Sequence, residues 1–342
     1  METKVIRVDP RKPEPPLIEE AARVIKAGGL VAFPTETVYG LGADGLNPKA
    51  VKRIFEVKGR PLDNPLIFHV SSPGEALALA EEVPEEAQWL MDRFWPGPLT
   101  LVLRKKSHVP DVATAGLATV AVRMPDCPIA LALIEASHTP IVAPSANLSG
   151  KPSPTKPQHV IADLQGKVEV IIDGGDTPIG VESTVVDLTR RPFTILRPGG
   201  LSREALEEVV GPVGVHQGAV HPDGLAPPSP GMKYRHYAPQ AQVVLVEGER
   251  GERLRKMAEL VGQLKEEGLK VGALTVGVSI PGSDVERRVQ GLEDYAHNLF
   301  AFLREMDELD VDVIVAEGVE ERRLGLALMN RLRKAATRVV RV

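Results

Sequence analysis

Two cationic side chains one residue apart, Lys58 and Arg60, lie in a loop that glycine and proline stiffen. The loop reads KGRPLDNP over residues 58–65, between a predicted helix at residues 47–58 and a predicted apolar strand at residues 66–70. Arginine suits bidentate capture of carboxylate or phosphate, and lysine suits a phosphate as a point charge. The pair alone is more typical of a solvated surface loop, so its interpretation depends on its neighbours.

Polar side chains recur at or just after the ends of other predicted strands. In open α/β sheets this edge is where ligands bind, although each such residue alone could simply cap a turn. Together with Lys58 and Arg60 they predict a cleft that could bind a nucleoside triphosphate and a small carboxylate. The residues at strand ends are Thr37, Arg123, Ser145, Asn147, Ser183 and Arg197.

The elements that would position these groups alternate between short strands and helices. This alternation indicates a mixed α/β domain over residues 1–211. Residues 212–240 contain six prolines and four glycines and predict a linker, with KYRHY concentrated at residues 233–237. Residues 241–342 again alternate strand and helix, which predicts a small doubly wound, Rossmann-like domain with a parallel sheet.

Composition limits the class of protein. The chain has 342 residues and a formal net charge of −5, so no global field would attract nucleic acid. Its single cysteine, Cys127, excludes an internal disulfide. The first residues lack the apolar core of a signal peptide, and no apolar run is long enough for a membrane helix. We therefore expect a soluble, cytoplasmic protein that does not contact membranes.

Standard motifs of other enzyme classes do not account for the chain. GLGADG at residues 40–45 matches the spacing of a dinucleotide-binding loop. However, the acid at the required distance, Asp63, precedes the next strand instead of ending it. These glycines are better explained by a tight turn or a close approach of backbone to ligand. The eight histidines form no pair three or four residues apart, so no protein-ligated metal is expected.

The polar motifs, taken in order, resemble the YrdC-like domain of threonylcarbamoyl-AMP synthases. The linker and the residues near 325–336 resemble the long form of that family, so the resemblance spans nearly the whole chain. The motifs are PTETVYGLG (34–42), KGRP (58–61), NPL (64–66), His69, WPGPLT (95–100), AVRMP (121–125), APSANLSG (143–150), ESTVV (182–186), SPGMKYRHYAP (229–239) and MNRL (329–332).

This resemblance implies a fold and an activity. The fold would be an open, twisted mixed sheet with a deep positive cleft. The activity would join L-threonine, bicarbonate and ATP into threonylcarbamoyl-AMP and pyrophosphate. A separate transferase complex would then pass the threonylcarbamoyl group to tRNA, so this chain need not bind tRNA directly. Such chemistry depends on positioning and charge neutralisation more than on a protein nucleophile.

The resemblance also assigns residues. Lys58 and Arg60 would act on the triphosphate as the catalytic cations, with Mg²⁺ held mainly by the phosphates. Contacts to ATP are implied for Lys58, Arg60, Asn64, Thr119, Asn147, Ser153, Arg197 and the linker residue Tyr234. A threonine-binding shell is implied for Thr37, His69, Arg123, Ser145 and Ser183, with Arg123 as the natural partner of the carboxylate.

The linker could close over the cleft as a lid that protects a labile mixed anhydride from water. Tyr234, His236 and Tyr237 are alternatives for the side chain that touches the ligand, and a passive tether is the competing interpretation.

Two other functions remain open at this stage. An RNA-binding module could use a basic cleft, although the negative net charge and an aromatic content of 4% disfavour it. Carbamoyltransferases of hydrogenase maturation also contain YrdC-like domains, but they carry acylphosphatase and zinc-finger modules that this chain does not show.

Overall fold

The computed structural model describes residues 2–216, 227 and 237–342. They form two compact units, one of residues 2–149 with 153–216 and 227, and the other of residues 150–152 with 237–342. Residues 150–152 join the second unit because Arg304 donates to the carbonyl oxygen of Pro152 at 2.7 Å (Nη2) and 3.1 Å (Nε). Within the described part of the chain, no helix is long and apolar enough to cross a membrane.

The first unit is built on an eleven-stranded mixed sheet, which confirms the predicted fold class. Its order is β1-β8-β2-β3-β7-β4-β6-β5-β9-β10-β11. The strands are β1 (Lys4–Arg7), β2 (Val31–Phe33), β3 (Gly40–Asp44), β4 (Ile67–His69), β5 (Leu99–Arg104), β6 (Thr119–Arg123), β7 (Ile141–Val142), β8 (Val170–Asp173), β9 (Thr184–Asp187), β10 (Thr194–Arg197) and β11 (Gly214–Val215).

Helices cover this sheet and bury its apolar side chains. They are α1 (Pro15–Lys26), α2 (Pro48–Lys58), α3 (Pro73–Leu79), α4 (Glu85–Phe94), α5 (Asp111–Thr114), α6 (Pro128–Ser137), α7 (Pro157–Leu164) and α8 (Arg203–Val210). Helix α2 begins where the Asn47 side chain accepts from the amides of Lys49 and Ala50. It ends at Gly59, whose left-handed backbone (φ 60°) releases the chain into the cationic loop.

Strand β3 differs from the prediction, because the glycines at 40–45 were expected to form a turn or to approach a ligand. Gly40 and Gly42 instead lie in the sheet, between neighbours β2 and β7. A Cβ atom on Gly42 would lie 2.7 Å from Phe33 and 2.8 Å from Ile141. Side chains of the adjoining strands therefore exclude anything larger than glycine here, and no ligand is needed to explain the motif.

The second unit has the predicted doubly wound architecture with an all-parallel, five-stranded sheet of order β14-β13-β15-β12-β16. Its strands are β12 (Gln242–Glu247), β13 (Val271–Val276), β14 (Val285–Val289), β15 (Val313–Glu317) and β16 (Arg338–Arg341). Its helices are α9 (Arg250–Glu266), α10 (Leu292–Glu308) and α11 (Leu324–Ala335).

The division of the chain at residues 211 and 240 stays a prediction. Strand β11 lies in the stretch that was predicted as a linker.

Candidate active site

Strand register places three of the predicted threonine-side residues, His69, Arg123 and Ser183, in or beside one row across the first sheet. His69 on β4 pairs with Arg123 on β6, and Arg123 pairs with Thr100 on β5. Thr100 pairs in turn with Val185 on β9, two residues after Ser183, and Val185 pairs with Arg197 on β10. Five strands thus bring together residues that lie far apart in sequence.

The same face of the sheet continues into an apolar patch. Alternate residues of a strand share a face, so Thr119, Ala121 and Arg123 point to the same side of β6. Ala121 belongs to a small cluster with Ile67, Val102, Val185 and Leu196. Thr119 starts β6, four residues before Arg123 and so about 13 Å from it along the strand. Thr119 therefore lies outside the polar row, across the apolar patch from it.

Arg123 is held by a buried carboxylate. Its Nη2 atom lies 2.6 Å from Oε2 of Glu36, and the exposed fractions of the two side chains are only 4% and 6%. The Nη2 atom and both Glu36 oxygens nevertheless lack an aligned hydrogen bond to any described residue. The pair is thus in charge contact without the directed hydrogen bonds that lock most buried pairs. An incoming carboxylate could compete for the guanidinium.

His69 is neutral in this site. Burial, reinforced by the positive charge of Arg123, lowers the pKa of its imidazole to about 3. Its ring meets Phe33 edge-on, and Nδ1 lies 3.2 Å from the carbonyl oxygen of Ile67. A neutral imidazole beside a cation can take part in hydrogen bonds with a hydroxyl group without adding charge.

Ser183 connects two further members of the row. Its hydroxyl lies 2.8 Å from the Thr100 hydroxyl. Arg197 donates from Nη2 to Ser183 Oγ at 3.1 Å and to the Ser183 carbonyl oxygen at 3.0 Å. All three side chains are buried, so this network fixes the Arg197 guanidinium at the sheet edge.

The cationic loop is tied to the loop after β7. Lys58 is buried, and its ammonium donates to the carbonyl oxygen of Ser145 at 2.5 Å and to that of Asn147. The Ser145 hydroxyl bonds Oδ1 of Asn147 at 2.6 Å. The predicted contacts Lys58, Ser145 and Asn147 therefore form one cluster, and the expectation that Lys58 lies in a mere surface loop is excluded.

Arg60 and Asn64 occupy the other end of this loop. Arg60 is half-buried and donates to the backbone carbonyl oxygens of Asn64 (3.3 Å) and Pro65 (3.1 Å). Asn64 is buried, and its Oδ1 has no hydrogen-bond partner among the described residues. Ile67 pairs with Ala121, so this end of the loop approaches β6 near Thr119.

Thr37 and Ser153 are also buried and hydrogen-bonded. The Thr37 hydroxyl lies 2.8 Å from that of Thr35, and the carbonyl oxygen of Thr37 accepts from the Gly180 amide at 3.0 Å. Ser153 donates to Oε1 of Glu182 at 2.6 Å. These contacts hold the turn after β2 and the segment before β9 in place.

The residues of the possible lid fall mostly outside the description. Tyr234 and His236 lie among the residues that the structure does not describe, so both assignments remain predictions. Tyr237 is buried in the second unit, where its ring stacks on Phe300 with centroids 5.1 Å apart. The Arg331 guanidinium lies over the same ring, with its Cζ atom 5.5 Å from the ring centroid. In this structure the Tyr237 ring serves core packing.

Sequence reasoning assigned no role to Glu36, Thr100 or Glu182, although each contacts a predicted site residue. Glu36 opposes Arg123, Thr100 bonds Ser183, and Glu182 accepts from Ser153. All three lie inside the motifs PTETVYG, WPGPLT and ESTVV, and that membership was the available signal. Motif membership did not indicate which site residue each of them contacts.

Comparisons with known proteins cover both units. A family model described as "Telomere recombination" matches residues 23–199, and one described as "Threonylcarbamoyl-AMP synthase, C-terminal domain" matches residues 201–337. The chain is 58% identical to threonylcarbamoyl-AMP synthase of Pyrococcus abyssi over 95% of its length and 96% of the relative. It is 48% identical to that of Bacillus subtilis, covering 95% of both chains.

Solved structures agree with these matches. A crystal structure of P. abyssi Sua5 complexed with L-threonine is 56% identical and superimposes with a TM-score of 0.95, covering 99% of this chain and 100% of the other. The fold is thus shared with that protein over nearly the whole chain. The chain belongs to the threonylcarbamoyl-AMP synthase family.

Proposed function

We propose that this enzyme joins L-threonine, bicarbonate and ATP into threonylcarbamoyl-AMP and pyrophosphate, for N6-threonylcarbamoyladenosine formation in tRNA. The observation that carries the proposal is the row of His69, Arg123 and Ser183 at one end of an apolar floor. The P. abyssi relative solved with L-threonine supports it.

The threonine would bind at the polar row. Arg123 would exchange part of its contact with Glu36 for the substrate carboxylate, because a bidentate pair with a guanidinium is strong. Neutral His69 and the hydroxyls of Thr37, Ser145 and Ser183 would receive the substrate hydroxyl and amine. Because the imidazole beside Arg123 is uncharged, the guanidinium groups of Arg123 and Arg197 are the cations of the row.

ATP would lie across the floor toward Thr119. Lys58 and Arg60 would face the triphosphate, and Asn64, Asn147, Ser153, Arg197 and the linker Tyr234 would complete its contacts. Ala121, Ile67 and Val102 would offer an apolar surface under the nucleoside. The distance of about 13 Å between Thr119 and Arg123 leaves room for both substrates along one strand.

The reaction would proceed in two bond-forming steps. The neutral threonine nitrogen bonds to the bicarbonate carbon, and water leaves to give a carbamate. A carbamate oxygen then bonds to the α-phosphorus while the bond to the β-phosphate oxygen breaks. Lys58, Arg60 and Arg197 would stabilise the charge that develops on the departing pyrophosphate.

Mg²⁺ would enter with the triphosphate. The site offers cationic, hydroxyl and amide groups, while its two carboxylates, Glu36 and Glu182, are engaged by Arg123 and Ser153. Such a donor set fits an ion held mainly by phosphate oxygens and water. When bound, the ion would supply charge neutralisation at the phosphates.

The product would pass to a tRNA threonylcarbamoyl-transferase complex, so direct tRNA binding by this chain is not required. Nothing in the comparisons favours the alternative RNA-binding module.

Pyrophosphate release tests the proposal. The enzyme should release pyrophosphate from ATP only when L-threonine and bicarbonate are both present. Omission of either substrate should reduce release to the background of ATP alone. Release that is indifferent to threonine or to bicarbonate would contradict the proposed reaction.

A further inference from the structure

The second unit contains a cavity of about 560 Å³ at the carboxyl edge of its parallel sheet. Strands β12 and β15 end there, at Glu247 and Glu317. The walls come from the loops that follow these strands and from the helices α9 and α11. They include Gly248, Arg253, residues 318–322, Met329 and Arg333.

The cavity lies at a topological switch point. β12 and β15 are neighbours, but β12 leads through α9 to β13 beyond β15, whereas β15 leads through α11 to β16 beyond β12. The two connections therefore diverge to opposite faces of the sheet and leave a crevice between them. In doubly wound folds this crevice is the usual ligand site.

Two hydrogen-bond donors in its wall are under-used. Arg253 donates from Nη1 to the Gly248 carbonyl oxygen at 2.8 Å and from Nη2 to Glu317 at 3.0 Å. Its buried Nε has no partner among the described residues. The Val319 amide donates to the thioether sulfur of Met329 at 3.2 Å, a weak acceptor. Such groups favour a ligand with acceptor oxygens.

The charges of the wall are balanced, which limits the ligand class. Arg253 is paired with Glu317, and Arg333 contacts both Glu247 at 2.7 Å and Glu321 at 2.6 Å. A polyanion would be repelled by these carboxylates, and a bare metal ion would have to displace their arginine partners. The pairs already formed therefore disfavour both nucleotides and cations.

One cationic and one anionic side chain in the cavity wall remain available to bind a ligand. The side chains of Glu320 and Arg322 line the cavity, and neither has a hydrogen-bond or ion-pair partner within the described ranges. They lie two residues apart in the loop between β15 and α11. Gly325 lets this loop fold tightly, since a Cβ there would lie 1.9 Å from the Glu320 carbonyl oxygen.

We propose that this cavity binds a zwitterionic α-amino acid. Its carboxylate would bond the Arg322 guanidinium and the Val319 amide, close to the start of α11, where the helix dipole favours negative charge. Its ammonium group would bond the Glu320 carboxylate. The volume leaves space for the amino-acid side chain and for water. The site is separate from the proposed reaction and does not depend on it.

Hydrogen–deuterium exchange of the full chain, with each standard L-amino acid in turn, tests this site. The expected result is protection of peptides that cover residues 318–326 by at least one amino acid. Inorganic phosphate and AMP serve as anionic probes. Protection of that segment by these anions and by no amino acid would overturn the assignment, as would no protection by any probe.

Three variants localise the effect. Arg322→Gln and Glu320→Gln should each weaken the protecting amino acid roughly tenfold or more, because each removes a charge-assisted contact. Arg255→Gln is the matched control, since Arg255 is an exposed arginine of α9 outside the cavity wall. Equal affinity in all three variants would contradict the proposed contacts, and reduced affinity in the first two alone would support them.

Discussion

Within the described residues, each unit contains a buried arginine–glutamate pair, and these two pairs are held in different ways. In the second unit Glu317 accepts from Arg253 at 3.0 Å and from the Val276 amide at 2.8 Å, so the carboxylate joins α9 to β13. In the first unit Glu36 and Arg123 approach to 2.6 Å, but their facing atoms lack aligned hydrogen bonds. Arg123 can therefore exchange Glu36 for a ligand carboxylate, whereas the Glu317–Arg253 pair stabilises the fold of the second unit.

This difference indicates how to distinguish function from stability at a buried charge. A carboxylate that accepts hydrogen bonds from two protein donors, as Glu317 does, gains nothing from a ligand. A pair in contact but poorly aligned still has donor capacity, and a substrate carboxylate can use it. The predictions below test the contrast, beginning with the largest effect.

Removal of either arginine should be strongly destabilising. Arg123→Met and Arg253→Met each leave a buried carboxylate uncompensated, which typically costs about 3–5 kcal/mol in the free energy of unfolding. Urea unfolding measures this cost. The exposed control Arg255→Met should remain within about 0.5 kcal/mol of the wild type.

Threonine should then separate the two variants. Ligand that binds only the folded state raises stability, so L-threonine should stabilise the wild type and Arg253→Met. It should stabilise Arg123→Met less than either of these proteins. If Arg123→Met gains as much stability from threonine as the wild type, the carboxylate is bound elsewhere and the functional interpretation of the pair fails.

Arg60→Ala should affect activity far more than stability. Loss of one charged group that stabilises the transition state costs about 3 kcal/mol, or about a hundredfold in rate. Arg60 is half-buried, and we expect its replacement to change the melting temperature little. Lys52→Ala, at an exposed position of α2, is the control. A large fall in melting temperature would make Arg60 structural.

His69 should make stability depend on pH below neutrality. The folded-state pKa is lowered to about 3, whereas the unfolded imidazole titrates near its ordinary value of about 6.5. Between these values the unfolded state binds the extra proton, so stability falls as pH falls. As pH falls through this range, the free energy of unfolding of the wild type should decrease by up to about 1.4 kcal/mol per pH unit more than that of His69→Gln. Equal slopes for both proteins would show that His69 is protonated in the fold.

Exposed ion pairs should contribute least. Arg203 and Glu207 form an exposed pair one turn apart on α8, at 2.8 Å. Arg203→Ala should therefore cost no more than about 0.5 kcal/mol, and salt should reduce the difference. A cost similar to that of Arg123→Met would remove the distinction between buried and exposed pairs.

Much of the fold could be predicted, because local signals were strong. Asn47-Pro48 marked the start of α2, and Gly59 marked its end. The alternation of strands and helices in the second unit was predicted, except β14, whose sequence VERRV carries too many charges to indicate a strand. Helices α3, α5 and α7 were missed because they are short, with 7, 4 and 8 residues.

The sequence predicted which residues would lie in the site, but it did not predict which of them would contact each other. Arg123, Ser183 and Arg197 were found because polar residues at strand ends point to the ligand edge of a sheet. Their partners Glu36 and Thr100 come from the turn after β2 and from β5, and only the folded chain brings them together. Long-range pairing depends on tertiary structure, which the order of residues in a single sequence does not reveal.

The most direct test of the proposed function follows the carbon of bicarbonate. The enzyme would be incubated with ATP, L-threonine and ¹³C-labelled bicarbonate, and the nucleotide products analysed by mass spectrometry. The account predicts a threonyl adduct of AMP whose mass includes the labelled carbon, formed by the wild type and lost with Arg60→Ala. Pyrophosphate released without any labelled adduct would contradict it.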